Sequence, residues 1–182
     1  PVLKTLYNLK SRKNMKYSSD TITWKKFVSG MGTIAPSVKR NRDDAAVLIY
    51  SGGTTGKSKG IVLSNLCFNA LAIQCIDVCP EARPGASMMS ALPIFHGFGL
   101  CVAVHAPLCL GMKCILIPKI DIKKLNETIK KKKPTIVPAV PTMLKAITNN
   151  KNLGPDSFKS VKVILSGGDY LSDDLRAKVI DY

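Results

Sequence analysis

The chain has 182 residues, 46% of them apolar and 21% charged. That length and balance suit one folded domain with a sizeable core, or a slice of a larger one, and exclude a disordered or fibrous chain. A formal charge of +15 favours anionic partners such as nucleotides, CoA, nucleic acid or acidic lipid, but the lysines do not interleave with aromatics as a single-strand platform requires, so a solvated basic face is preferred to a nucleic-acid patch.

Pro1 in place of Met, and an end at Tyr182 inside a predicted helix, are read as the ends of a piece of a longer chain. Cys67, Cys75, Cys79, Cys101, Cys109 and Cys114 sit among apolar neighbours without a CxxC pair and are read as reduced core residues. No signal-peptide pattern precedes them, and the expected location is cytoplasmic. The stretch 97–118 is too interrupted by His105, Pro107, Gly111 and Lys113 to span a membrane and is expected to form a buried helix, a glycine turn and a buried strand. No transmembrane segment is predicted; peripheral membrane contact and the oligomeric state stay open.

Taken in chain order, residues 1–44 are a poorly assigned leading segment, with Thr21 to Val28 as a short amphipathic stretch around Trp24 and a charged connector from Lys39 to Asp44. Beyond it, short apolar runs alternate with helical ones, the pattern of an α/β fold with a largely parallel sheet flanked by helices. Strands are predicted at Ala45–Tyr50, Ile61–Leu63, Ser87–Leu92, Lys113–Ile117, Thr135–Val140 and Val161–Leu165. Helices are predicted at Asn65–Val78 with Ser64 as N-cap, and at Leu100–Leu110. A third starts from the N-cap Asp121 with Ile122, Leu125 and Ile129 on one face, ends before Pro134, and has Lys130, Lys131, Lys132 and Lys133 around its end. A fourth has Pro141 in its first turn, and a last one opens at Ser172 with Leu175 and Val179 inward.

Between the first two strands lies Ser51 to Gly60, SGGTTGKSKG. Glycines let consecutive backbone N–H groups converge on an anion, the hydroxyls of Ser51, Thr54 and Thr55 donate to phosphate oxygens, and Lys57 and Lys59 supply positive charge. The kinase and GTPase P-loop needs a glycine at position 51, where this chain has Ser, and needs a helix after the loop, where a strand is predicted. A strand, phosphate loop, strand hairpin is expected instead. Downstream, His96 lies in a loop between a strand end and a glycine pair, where functional side chains tend to be presented; by itself it reads rather as a packed or exposed histidine without a role. Gly167 and Gly168 follow a strand at its carboxyl end, where ligands bind in open parallel sheets.

The run YSGGTTGKSKG from Tyr50 to Gly60 resembles the phosphate-loop signature of the acyl-adenylate-forming (AMP-binding) superfamily, which includes acyl-CoA ligases, firefly luciferase and the adenylation domains of peptide synthetases. Three further segments are similar to that family in the right order: LPIFHGFGL (Leu92–Leu100), VPTM (Val140–Met143) and SGGDYLS (Ser166–Ser172). The resemblance implies part of the N-terminal domain of an acyl-CoA synthetase/luciferase-like fold, with residues 45–182 a partial adenylation domain and the C-terminal domain absent. It implies that Ser51, Gly52, Gly53, Thr54, Thr55, Gly56 and Lys59 hold the ATP phosphates, that Lys59 and His96 act in catalysis, His96 at the acyl-pocket edge, and that Gly167, Gly168 and Asp169 border the adenine and acyl pocket. Asp169 replaces a small residue of many relatives, and Ser58 a frequent proline.

The activity so implied is acid–thiol ligation. A carboxylic acid, a fatty acid first, attacks the ATP α-phosphate to give an acyl-adenylate and pyrophosphate, and a CoA thiol then displaces AMP. Mg²⁺ would bridge the phosphates, with no metal ligand in this chain. The family's Tyr-Gly-x-Thr-Glu run, ribose-binding acid and C-terminal lysine would fall past Tyr182, so the 182-residue chain alone is expected to bind ATP weakly and not to catalyse adenylation. The alternatives are an adenylation domain that loads a carrier protein and, from another class, a basic nucleic-acid-binding module.

Overall fold

The computed structural model describes residues 18–29, 37–52 and 58–181. They fall in two units, Pro1–Lys39 and Arg40–Tyr182. In the first, helix α1 (Trp24–Val28) starts where Thr23 Oγ1 accepts the Lys26 N–H at 3.3 Å. The rings of Trp24 and Phe27 lie 5.8 Å apart, and this short helix buries none of its residues.

The second unit opens with an antiparallel hairpin of β1 (Ala45–Ser51) and β2 (Lys59–Ser64), in which Tyr50 pairs with Gly60 and Ser51 with Lys59. Helix α2 (Asn65–Val78) follows at once, its N-terminus capped by Ser64 Oγ, which accepts the Cys67 N–H at 3.2 Å. The polar connector is tied to the same helix start: Asn65 N–H donates to Asp44 O, Leu66 N–H to Arg42 O, and Asn65 Nδ2 to Asn41 O. These bonds fix how the hairpin leaves the helix. Along α2 only Ala72 is buried, and Leu66, Ile73 and Ile76 are exposed.

Strands β3 (Ser87–Ser90), β4 (Lys113–Leu116), β5 (Ile136–Ala139) and β6 (Val163–Ser166) form a parallel sheet in the order β4-β3-β5-β6. Each is only four residues long; the central β3 and β5 are buried throughout, and the outer β4 and β6 are partly exposed. Alternate residues enter two different clusters: Met89, Val137, Ala139 and Ile164 meet Leu125, Ile129, Leu144 and Ile147, whereas Met88, Ile136, Val163 and Leu165 meet Cys79, Ala103 and Met112. That period of two is what side chains on opposite faces of a pleated sheet require. Ile129, Ile136, Val137 and Ala139 are fully buried; each large aliphatic side chain so buried contributes about 1.5–3 kcal/mol. Pro138 lies inside β5 without an N–H to donate; β5 runs in register with β6 from Ile136 to Ala139 but pairs with β3 only at Met88–Ile136.

The crossovers are helical. After β3, residues Phe98–His105 wind as a π-helix that continues as α3 (Ala106–Cys109), and Gly111, at φ 65°, turns the chain into β4. Between β4 and β5, Ile122–Lys124 form a 3-10 turn and α4 spans Leu125–Lys132. The helix therefore starts later than the Asp121 cap predicts: Asp121 O accepts the Lys124 N–H in the tighter turn, and Lys124 takes the cap position. Lys133 ends α4 in a left-handed conformation at φ 47°, since Pro134 excludes another helical residue. Helix α5 (Pro141–Thr148) has Pro141 in its first turn, and α6 (Asp173–Ile180) is capped by Ser172 Oγ, which accepts the Leu175 N–H.

The cysteines correct the sequence reading. Cys79 and Cys101 are buried, Cys75 and Cys114 half-buried, but Cys67 and Cys109 are exposed; an apolar neighbourhood in sequence does not say which helix face a residue occupies.

Candidate active site at the carboxyl ends of the strands

In the sheet order, β3 leads outward to β4 on one side and β5 leads outward to β6 on the other. The reversal falls between β3 and β5, and ligands in open α/β sheets bind at the carboxyl ends beside such a switch point. The segment after β3 carries His96 and, at the start of the π-helix, Phe98; the one after β5 carries Val140 and, at the start of α5, Pro141; and the one after β6 carries Gly167, Gly168 and Asp169.

These three loops meet. A Cβ on Gly167 would lie 3.3 Å from Cε1 of Phe98, and one on Gly168 would lie 3.4 Å from Cγ1 of Val140. Gly168 also has φ 84°, a conformation that side-chain-bearing residues rarely adopt. Gly167 N–H reaches back to Ala139 O at 3.4 Å, joining the ends of β6 and β5. Asp169 accepts the Tyr170 N–H on Oδ1 at 2.8 Å, so its carboxylate is engaged with the backbone of its own turn.

The approach of the His96 loop depends on Gly99. A Cβ there would lie 2.0 Å from Pro93 O, so only glycine permits the loop to fold back on itself. His96 is exposed; its N–H donates to Pro93 O at 3.2 Å, its C=O accepts the Leu100 N–H at 2.9 Å, and its Nδ1 accepts the Phe98 N–H at 3.2 Å. With Nδ1 an acceptor, the neutral ring carries its proton on Nε2, a donor suited to a carboxylate or phosphate oxygen. Below this loop the π-helix is pinned to the sheet: Ser90 Oγ, at the end of β3, donates to Ala103 O and lies 2.9 Å from Cys114 Sγ. Such widened turns are uncommon and occur often at functional sites.

At the hairpin, Ser51 and Lys59 face each other across the strand pair, with Ser51 Oγ donating to Lys59 O at 3.5 Å. Lys59 and Gly52 are exposed, and nothing would obstruct a side chain at Gly52. Gly53, Thr54, Thr55, Gly56 and Lys57 lie outside the described residues. The structure thus places Ser51, Gly52 and Lys59 at the mouth of the hairpin, Gly167 and Gly168 against Phe98 and Val140 with Asp169 next in the same loop, and His96 on the segment that leads to Phe98. Phe98 was not singled out from sequence. Its signal was available, a lone aromatic between Gly97 and Gly99 two positions after His96.

An antiparallel hairpin is followed by a parallel α/β sheet, with a histidine-bearing segment and a double glycine at the carboxyl ends of its strands. The AMP-binding enzyme family is matched over residues 3–182, and the chain belongs to it. The chain is 33% identical over 136 residues to a long-chain-fatty-acid–CoA ligase of Bacillus subtilis (strain 168), covering 74% of this chain and 24% of that protein. It is 31% identical over 169 residues to 4-coumarate–CoA ligase 1 of Petroselinum crispum, covering 87% and 30%. The crystal structure of ATP-bound MatB from Rhodopseudomonas palustris superposes with a TM-score of 0.74 at 27% identity, covering 82% of this chain and 29% of that one. The chain thus spans under a third of the length of each.

Proposed function

We propose that this chain is part of an enzyme that activates a carboxylic acid with ATP as an acyl-adenylate and transfers the acyl group to the thiol of CoA. The observation that carries the reading is the packing of Phe98, two residues after His96, against Gly167 and of Val140 against Gly168 at the carboxyl ends of the strands. The side-chain-free Gly167 and Gly168 leave room for a flat group, and the exposed His96 offers an Nε2–H donor to a charged oxygen, both of which the adenylation step would use. Ser51 to Gly56 and Lys59 would hold the phosphates while the acid attacks the α-phosphorus, and Mg²⁺ would arrive bound to the nucleotide.

A fatty acid is the first choice of substrate, supported by the name of the Bacillus subtilis relative; an aromatic acid is the alternative that the Petroselinum crispum relative supports. CoA as acceptor is favoured over a carrier protein because both relatives are named as CoA ligases. A cytoplasmic location belongs to the same proposal and rests on the free cysteines. Among the described residues no helix is long and apolar enough to cross a membrane.

The test is product analysis. The enzyme containing this chain, incubated with ATP, Mg²⁺, CoA and either a long-chain fatty acid or 4-coumarate, should release AMP, pyrophosphate and one acyl-CoA. AMP formed without free thioester would shift the acceptor to a carrier protein, and ADP with orthophosphate would overturn the proposal.

A further inference from the structure

The second histidine belongs to a cluster that the proposed reaction does not use. His105 closes the π-helix, and its ring stacks on Phe68 of α2 with centroids 3.8 Å apart and planes 25° from parallel. Its Nε2 lies 3.0 Å from Oδ1 of Asn69, also on α2. Cys109, four residues on, places Sγ 3.3 Å from Nε2 and 3.8 Å from Nδ1 of the same ring, and Cys109 is exposed.

These contacts assign roles. A neutral imidazole has one N–H and one lone pair; the tautomer that satisfies Asn69 Oδ1 has its proton on Nε2 and its lone pair on Nδ1, the farther of the two ring nitrogens from the thiol at 3.8 Å, which a small turn of the Cys109 side chain brings closer. Phe68 and Asn69 hold the ring in place. A nucleophile, a base and a third group that orients the base are the parts by which thiols are activated. Burial holds the His105 pKa below its ordinary value, so the ring stays neutral near pH 7 and open to a proton.

The other cysteines lack this arrangement. Burial pushes the thiols of Cys75, Cys79 and Cys101 up in pKa, which lowers their reactivity. Cys114 is engaged with Ser90 and with Ala103 O. Cys67 is exposed like Cys109, yet among the described residues no hydrogen bond joins its thiol to a histidine.

We propose that Cys109 is a reactive thiol with His105 as its base, and that it is the position at which this chain forms mixed disulfides with small organic disulfides. In the step, Nδ1 of His105 takes the Cys109 proton as the sulfur attacks one sulfur of RSSR. The Cys109 S–S bond forms, the RS–SR bond breaks, and the leaving thiolate RS⁻ recovers the proton from His105. The small disulfide is itself the oxidant, reduced to RSH as Cys109 is oxidised, so the exchange balances without another reagent.

The test compares two exposed thiols in one protein. The folded protein at pH 7 is treated with a substoichiometric amount of the aromatic disulfide dithiobis(nitrobenzoate), and the modified peptides are counted by mass spectrometry over time. Cys109 should react about tenfold faster than Cys67, and His105→Gln should bring it down to the Cys67 rate while the circular dichroism spectrum stays unchanged. Cys67 reacting as fast as Cys109 in the unsubstituted protein would overturn the proposal, and so would an undiminished Cys109 rate in folded His105→Gln. Should that variant fail to fold, the comparison within the unsubstituted protein decides alone.

Discussion

The ring of Phe98 lies against Gly167, with Cε1 3.3 Å from where a side chain at Gly167 would begin. Two residues 69 positions apart in sequence, one at the start of the π-helix after β3 and one from the loop after β6, thus pack together at the carboxyl end of the sheet. A methyl group at Gly167 would press on the ring without touching backbone, and the ring can give by a few tenths of an ångström. Gly167→Ala should therefore cost about 1 kcal/mol or less in stability but lower kcat/KM for the acid about tenfold by displacing the ring. Adding Phe98→Leu should restore most of the loss, and steady-state kinetics on the two single variants and the double variant check this.

The two glycines around Phe98 should behave oppositely. A Cβ on Gly99 would lie 2.0 Å from the backbone oxygen of Pro93, and one on Gly97, which has helical φ −54° and ψ −41°, would meet nothing within 4 Å. Gly99→Ala is expected to lose about 3 kcal/mol because backbone must move, whereas Gly97→Ala should be neutral or gain about 0.5 kcal/mol by restricting the unfolded chain. Urea unfolding of both variants measures the difference.

Ser90 tests the seam between the π-helix and the sheet. Its hydroxyl is buried and donates to Ala103 O beside Cys114 Sγ. Ser90→Ala should destabilise by about 1–2 kcal/mol, since the Ala103 carbonyl loses its hydroxyl partner in the interior. The same urea experiment reads it.

His105 gives a pH dependence with a definite sign. Burial lowers its folded pKa below the ordinary 6.5, so between the two values the unfolded chain binds more protons than the folded one. Stability then rises with pH across this window and is lost as pH falls below about 6.5. The urea midpoint should drop between pH 7.5 and 5.5, and His105→Gln should flatten that slope.

Much of the fold was legible in the residues. All six strands were located because β-branched and apolar runs bounded by turn residues carry their own signal, and the caps Ser64 and Ser172 act as predicted. The π-winding of 98–105 was not legible, since a bond shifted from i+4 to i+5 leaves no mark in the spacing of a uniformly apolar stretch. Lys124 displaced Asp121 as the cap of α4 because the 3-10 turn before it was equally compatible with the sequence. At the site, residues 53–57 of the loop from Ser51 to Gly60 lie outside the described residues, and the Phe98–Gly167 contact depends on the order β4-β3-β5-β6, which local patterns do not encode.

The central claim, that this chain contributes to activation of an acid as its adenylate, is tested most directly by exchange of labelled pyrophosphate into ATP in the enzyme that contains it. Exchange should require the acid, proceed without CoA, and fall about a hundredfold in Lys59→Ala, a substitution at an exposed strand position that should leave the unfolding midpoint in place. Exchange that is absent, or that runs equally well without the acid or without Lys59, would contradict it.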